Sequence, residues 1–308
     1  KLIPELSIKD ARKLIADGVI SAEEVELYYE GFSNDALWPL YHDALRESTF
    51  DDSQWKAYQA VNERFATALA DVAPEQSVVW IHDYHLQLVP GMLRARRPDL
   101  TIGFFLHIPF PPVELFSRLP WRDQIVEGLL GSDLVGFQRP TGASNFAAAA
   151  HQLLGADTHE ITRGVSRDGA HDRQICERHD PIADAKSESI VVFAGRLTEV
   201  GVFPISIDVG EVEEIAAGRA TRQRTSQIRA RLGDPEVVML GVDRLDYTKG
   251  IGLRLKAFAR LLEDGRLDPT RHVMVQVATP TRESVEHYRN ERHAAASKWT
   301  GEEPVPKL

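Results

Sequence analysis

Cysteine is almost missing from this sequence: Cys176 stands alone among 308 residues. An internal disulfide is therefore excluded, and the chain suits a reducing compartment. Long apolar runs are missing as well. None approaches the roughly 20 consecutive residues that a membrane-spanning helix needs. Residues 1–18 are charged and amphipathic, unlike the apolar core of a secretion signal. Excess basic charge is the third absence, since 36 Lys and Arg against 46 Asp and Glu leave a net charge of -10. Nonspecific binding to nucleic acid or to anionic membranes rests on a net basic surface, so neither partner is expected. A local basic pocket for a phosphorylated small molecule is untouched by that argument. The expectation is a soluble, cytoplasmic protein without internal repeats or low-complexity tracts.

What is there has the composition of a globular chain, 43% hydrophobic and 27% charged, with length for two domains. Short apolar runs recur: VVWI at 78–81, IGFFL at 102–106, LVGF at 134–137, IVVF at 190–193, VVMLGV at 237–242 and VMVQV at 273–277. Unbroken apolarity over such lengths predicts strands covered on both faces, as in a parallel sheet. Helical patterns lie between them. Trp55, Tyr58, Phe65 and Leu69 share one face of a segment opened by Asp52 and Ser53. Leu255, Phe258 and Leu262 do the same in a helix ending at Gly265. Alternation of this kind predicts an α/β fold. The polar stretch 157–188 has no clear period and is expected to be a loop or hairpin excursion.

The junction between domains is expected after FPISID at 203–208, followed by one polar, arginine-bearing helix over about 212–232 and a new strand after Gly233-Asp234-Pro235. The implied division is residues 1–215 and 216–308. Two strands and one or two helices fall short of the roughly three βα units of each half of a doubly wound sheet. The second domain is therefore expected to be incomplete in this chain.

Several constellations sit at strand ends, where open α/β sheets bind ligands. In DRLDYTKG at 243–250, Arg244 leaves the strand and Lys249 stands at the start of the next helix. Two cations beside free helix N–H groups suit a diphosphate. Alternatively, Arg244 pairs with Asp243 or Asp246 and Lys249 is merely solvated. In WIHDYH at 80–85, Asp83 either accepts a sugar hydroxyl or caps the following helix. His82 and His85 flank it at metal-ligand spacing, yet no third ligand is near in sequence, so no metal is expected. His107, in FFLHIPFP at 104–111, ends its strand before a stiff turn. It can donate to a substrate oxygen, or be a satisfied core histidine. Tyr29 and Trp38 are candidates for sugar or phosphate contact as well as for core filling. Arg282, beyond another strand end, is a candidate phosphate ligand or an ordinary helix-start residue.

Taken with their flanks, these segments resemble the trehalose-6-phosphate synthases, retaining glycosyltransferases of family 20 with the two-Rossmann GT-B architecture. The matching pieces are YYEGFSNDALWPLYH, WIHDYHLQLVP, IGFFLHIPFPPVELF, DLVGFQ, GVFPISID and GVDRLDYTKGI, in that order between about residues 21 and 288. The resemblance implies transfer of glucose from a nucleotide sugar, usually UDP-glucose, to glucose 6-phosphate. It assigns Arg244 and Lys249 to the donor diphosphate, His107 to the transferred glucose and Asp83 to the acceptor sugar. Tyr29, Trp38 and Arg282 fall to the acceptor phosphate. The family's front-face chemistry uses the leaving phosphate to take the acceptor proton, so it implies neither a carboxylate nucleophile nor a cofactor. The carrier nucleotide and any homo-oligomerisation stay open. So do a transferase with another phosphorylated acceptor, a noncatalytic sugar-phosphate-binding relative and a metal-dependent hydrolase. The family's arginine and glycine loop before Lys1, and its later acidic donor-binding segment, are not matched here. The resemblance therefore does not extend to activity of the chain by itself.

Overall fold

The computed structural model describes residues 21–43, 48–160, 187–244, 246 and 249–279. The chain forms two compact units, Lys1–Ile205 and Ser206–Leu308. The division expected after residue 215 lies inside the helix Val209–Ala217.

The first unit opens with helix α1 (Ala22–Glu24), whose Ser21 and Glu24 cap one another reciprocally. A π-type helix over Val25–Leu37 follows directly and runs into α2 (Trp38–Tyr41). Helix α3 (Asp52–Val72) starts at the expected Asp52, and its cap is the residue before, Asp51, which accepts the N–H groups of Ser53 and Gln54. Its buried face, Trp55, Tyr58, Val61, Asn62 and Phe65, is the one that the periodicity marks out, with a polar residue added.

Then come β1 (Val78–His82), α4 (Val89–Arg96), β2 (Thr101–Leu106), α5 (Val113–Phe116), α6 (Arg122–Leu129), β3 (Leu134–Phe137), α7 (Pro140–Leu154), β4 (Asp157–Glu160), β5 (Ser187–Phe193) and β6 (Arg196–Val202). The sheet order is β1-β2-β3-β6-β5-β4. β1, β2, β3 and β6 run parallel, while β5 is antiparallel to both β4 and β6. The strands β2 and β3 are buried nearly throughout, as their unbroken apolarity predicts. β1 is not: it alternates, with Val78 at 55% and Trp80 at 50% exposure. β6 carries no apolar run and is not foreseen by the sequence. Its hairpin with β5 turns at Ala194 and Gly195, both at positive φ (48° and 76°). Two-residue turns of that kind usually advertise themselves by Asn or Asp at the first position, and alanine hides this one.

Helices α4 and α6 meet through glycines. A Cβ on Gly131 would lie 2.4 Å from the Gly91 backbone, and one on Gly128 would lie 2.6 Å from the Gln87 carbonyl oxygen. Close backbone approach here presses α6 against the segment that carries the first candidate site.

The second unit contains α8 (Val209–Ala217), α9 (Arg219–Arg231), β7 (Val237–Arg244), α10 (Ile251–Glu263) and β8 (His272–Thr279). The single helix expected over 212–232 is two, because Gly218 takes an extended ψ of 148° that ends α8 and starts α9. β7 and β8 pair in parallel, Val237 against His272 through Arg244 against Thr279. Neither is covered on both faces as expected, since Leu240 and Val242 of β7 are 67% and 66% exposed and Val277 of β8 is 49% exposed. Among the described residues no helix is long and apolar enough to cross a membrane.

Candidate active site

In the first unit the carboxyl ends of β1 and β2 lie side by side, His82 in register with Phe105. Asp83 and His107 follow those two ends. The Asp83 N–H still donates to the Phe105 carbonyl (2.8 Å), so the ladder runs one residue beyond β1. There the chain turns sharply, with Asp83 at φ 70°. A left-handed aspartate costs roughly 1 kcal/mol and is tolerated best when its short side chain bonds locally. Asp83 Oδ1 does so, accepting the Tyr84 N–H at 3.0 Å. Asp83 is not a helix cap. The helix begins at Val89 with Leu88 in the cap position, six residues further on.

The turn from 84 to 88 is held from beneath by buried polar side chains. Tyr58 donates its hydroxyl to the Tyr84 carbonyl (2.7 Å) and accepts the Gln87 N–H (3.1 Å). Asn62 donates to the His85 carbonyl (3.0 Å) and accepts the Leu88 N–H (3.1 Å). Tyr28 donates to the same His85 carbonyl (3.1 Å), and Tyr41 to Gln87 Oε1 (2.7 Å). Burial raises the phenols of Tyr58, Tyr28 and Tyr41 well above the usual tyrosine value. All three remain neutral donors throughout the working pH range.

Tyr29 and Trp38 gather round this turn. Tyr29 is half-buried and stacks on His85, centroids 5.4 Å apart and planes at 11°. Trp38, at 4% exposure, packs against Tyr84 (5.6 Å) and His42 (4.0 Å). The structure thus brings Tyr29, Trp38 and Asp83 to one turn. His107 stands next to it and is exposed, which overturns its reading as a satisfied core group. Its Nε2 lies 3.0 Å from His82 Nδ1, its ring meets Phe105 edge-on at 4.8 Å, and its carbonyl accepts from Gln138 Nε2 (3.2 Å). Among the described residues no three of His, Cys, Asp and Glu converge as a metal site.

In the second unit Arg244 ends β7 and Lys249 precedes α10, both exposed. Gly250 takes the cap position of α10 at φ 62°, a conformation that glycine adopts without a steric penalty. The alternative in which Arg244 pairs with Asp243 does not hold. Asp243 Oδ2 accepts from Arg254 Nη2 (2.8 Å) and Gln276 Nε2 (3.1 Å), and these partners hold its carboxyl below the usual range. Arg254 also donates to the Lys249 carbonyl (2.9 Å), tying the segment after β7 to its helix. Among the described residues, Arg244 and Lys249 form no ion pair. Arg282 lies outside the described residues.

A family model for "Glycosyltransferase family 20" matches residues 7–298, nearly the whole chain. The chain belongs to glycosyltransferase family 20. The trehalose-6-phosphate synthase of Mycolicibacterium vanbaalenii is 55% identical over 270 residues, which cover 87% of this chain and 51% of that protein. Among solved structures, the E. coli trehalose-6-phosphate protein bound with UDP-2-fluoro glucose matches with a TM-score of 0.72 and 32% identity. The match covers 91% of this chain and 56% of that one. The alpha,alpha-trehalose-phosphate synthase (UDP-forming) of Burkholderia xenovorans, in complex with glucose-6-phosphate, matches at 0.73 and 29%, covering 90% and 56%. This family 20 chain therefore has the α/β, GT-B type fold that its motifs imply, and it spans about half the length of the curated relatives it matches.

Sequence reasoning missed the residues that hold the family 20 motifs in place. Tyr58 and Asn62 lie one turn apart on α3, and the signal was there: two polar groups within an otherwise apolar helix face. Nothing in the sequence connects Arg254 to Asp243. His82 was weighed only as a metal ligand, whereas its Nδ1 faces another histidine.

Proposed function

We propose that this protein moves glucose from UDP-glucose to glucose 6-phosphate with retention, giving trehalose 6-phosphate and UDP. Asp83 accepts a hydroxyl of the acceptor sugar, and Tyr29, Trp38 and Arg282 serve the acceptor phosphate. His107 donates to the transferred glucose, while Arg244 and Lys249 neutralise the donor diphosphate. The glycosidic bond to the diphosphate breaks as the acceptor oxygen bonds to the same face of the sugar. The acceptor's proton passes to the departing phosphate oxygen. No protein carboxylate has to attack, unlike in retaining glycosidases. Cations at the diphosphate stabilise charge that grows only in the transition state, which raises the rate rather than binding alone. The lone cysteine fits a cytoplasmic place of work.

One observation supports this reading above the others. Asp83 and His107 follow the neighbouring carboxyl ends of two parallel strands, β1 and β2, each anchored through its backbone. Solved relatives with the same fold hold UDP-2-fluoro glucose in one case and glucose-6-phosphate in the other. The test is UDP release with both substrates, with the product identified by NMR of its anomeric protons. UDP release that requires glucose 6-phosphate and yields an α,α-linked product is expected. Release without the acceptor, or faster release with a different phosphorylated acceptor, overturns the assignment. Calorimetry showing glucose 6-phosphate binding without UDP binding replaces it with a noncatalytic sugar-phosphate binder.

A further inference from the structure

The contact between His82 Nδ1 and His107 Nε2, at 3.0 Å, joins two imidazoles whose rings lie 5.2 Å apart and 30° from coplanar. A neutral imidazole has one N–H donor and one bare acceptor nitrogen, and imidazolium has donors only. Of the two facing nitrogens, therefore, one carries a proton and the other does not, and at least one ring is neutral. Whichever nitrogen donates, the contact ties the proton position of each ring to that of the other. His107 Nδ1 has no hydrogen-bond partner among the described residues, and the side chain is exposed.

We propose that His82 is a positioning residue for His107. His82 Nδ1–H donates to His107 Nε2, which keeps the His107 proton on Nδ1 and aims that N–H at an oxygen of the bound sugar. The inference rests on the reading of His107 as the group beside the transferred glucose. With both rings neutral its chemistry runs in one direction: a His107 that donates to a sugar oxygen through Nδ1–H has a bare Nε2, which is then the acceptor of the pair. The flanking structure supports a fixed geometry. His82 stacks beside Trp80 (5.9 Å, 28°), and Phe105 meets both rings, at 6.4 Å and 4.8 Å. His82 is anchored in the strand ladder against Phe105, and the His107 carbonyl is tied to Gln138. A donor preset in this way needs no reorganisation when charge develops on the substrate. The second ring nitrogen of a histidine commonly determines what the first can do.

Imidazole tautomers are read directly from long-range proton–nitrogen spectra of the chain labelled with 15N-histidine, with His107→Gln identifying the His107 signals. The measurement is made near pH 8.5, about two units above an ordinary imidazole pKa. Wild type should show His107 protonated at Nδ1 and bare at Nε2. His82→Leu should release it to a mixture of tautomers. His82→Asn places an amide N–H where Nδ1 was, and should restore the wild-type pattern. In the transfer assay His82→Leu should lower kcat about tenfold, the scale of losing a partner that orients a functional histidine. Its KM for glucose 6-phosphate should be unchanged, and His82→Asn should recover most of the rate. Wild-type His107 protonated at Nε2, or a tautomer indifferent to His82→Leu, overturns the proposal. Because the spectra do not depend on turnover, a protein that transfers no glucose would refute the assigned function and leave this inference to be decided by the tautomers.

Discussion

Replacing Asn62 tests whether the turn bearing Asp83 is held by hydrogen bonds or merely by packing. Asn62 is fully buried. Its amide donates to the Tyr58 carbonyl (2.9 Å) and the His85 carbonyl (3.0 Å), and its oxygen accepts the Leu88 N–H (3.1 Å). In Asn62→Ala the His85 carbonyl keeps the Tyr28 hydroxyl at 3.1 Å, and Tyr58 lies within α3. The Leu88 N–H keeps nothing comparable. A stranded buried donor costs about 1–3 kcal/mol, and each lost bond about 1 more. The sum for Asn62→Ala is roughly 2–4 kcal/mol after partial relaxation. Asn62→Leu strands the same donor but fills the space, so the two variants should fall by similar amounts. Urea unfolding followed by tryptophan fluorescence reads the right unit, because Trp38, Trp55, Trp80 and Trp121 belong to it and only Trp299 does not. Glucose 6-phosphate affinity should fall in both variants as the turn loosens. A loss below about 1 kcal/mol in both would refute the argument; a large loss in Asn62→Ala alone would show that packing, not bonding, holds the turn.

Three further outcomes are expected. Asp133 accepts from Arg94 (2.5 Å), Arg196 (3.2 Å) and the Ile102 N–H (2.7 Å), so Asp133→Ala should lower stability by about 3 kcal/mol in urea titrations. The Arg97 guanidinium and the Gln76 N–H hold the Asp99 carboxyl well below its ordinary 3.8. The folded state therefore takes up that proton less readily than the unfolded chain. The stabilisation is complete above the ordinary value and is lost as pH falls below it, so Asp99→Asn should flatten the acid limb of Tm against pH. Arg244→Ala and Lys249→Ala should each weaken UDP binding about tenfold or more by calorimetry, with glucose 6-phosphate binding unchanged. A charge-assisted bond is worth about 1.5–3 kcal/mol.

The elements with unbroken apolar runs were legible, β2 and β3 above all, because strands buried on both faces admit little else. The buried face of α3 was legible for the same reason, and so was the family, from six motifs in order. Other features depended on neighbours that no local pattern reveals. β6 is a strand because β3 and β5 flank it, not because its residues demand one. Gly218 divides a helix whose composition reads as continuous.

The sequence by itself determined which candidate groups are present, since the identities of Asp83, His107, Arg244 and Lys249 travel with their motifs. Tertiary structure alone decided how those groups are presented. It set Asp83 in a left-handed turn over Tyr58 and Asn62, placed His82 against His107, and gave Asp243 to Arg254 so that Arg244 stays available. Each of these joins residues from different elements, and hydrogen bonds across such distances in sequence follow only once the strands have chosen their neighbours.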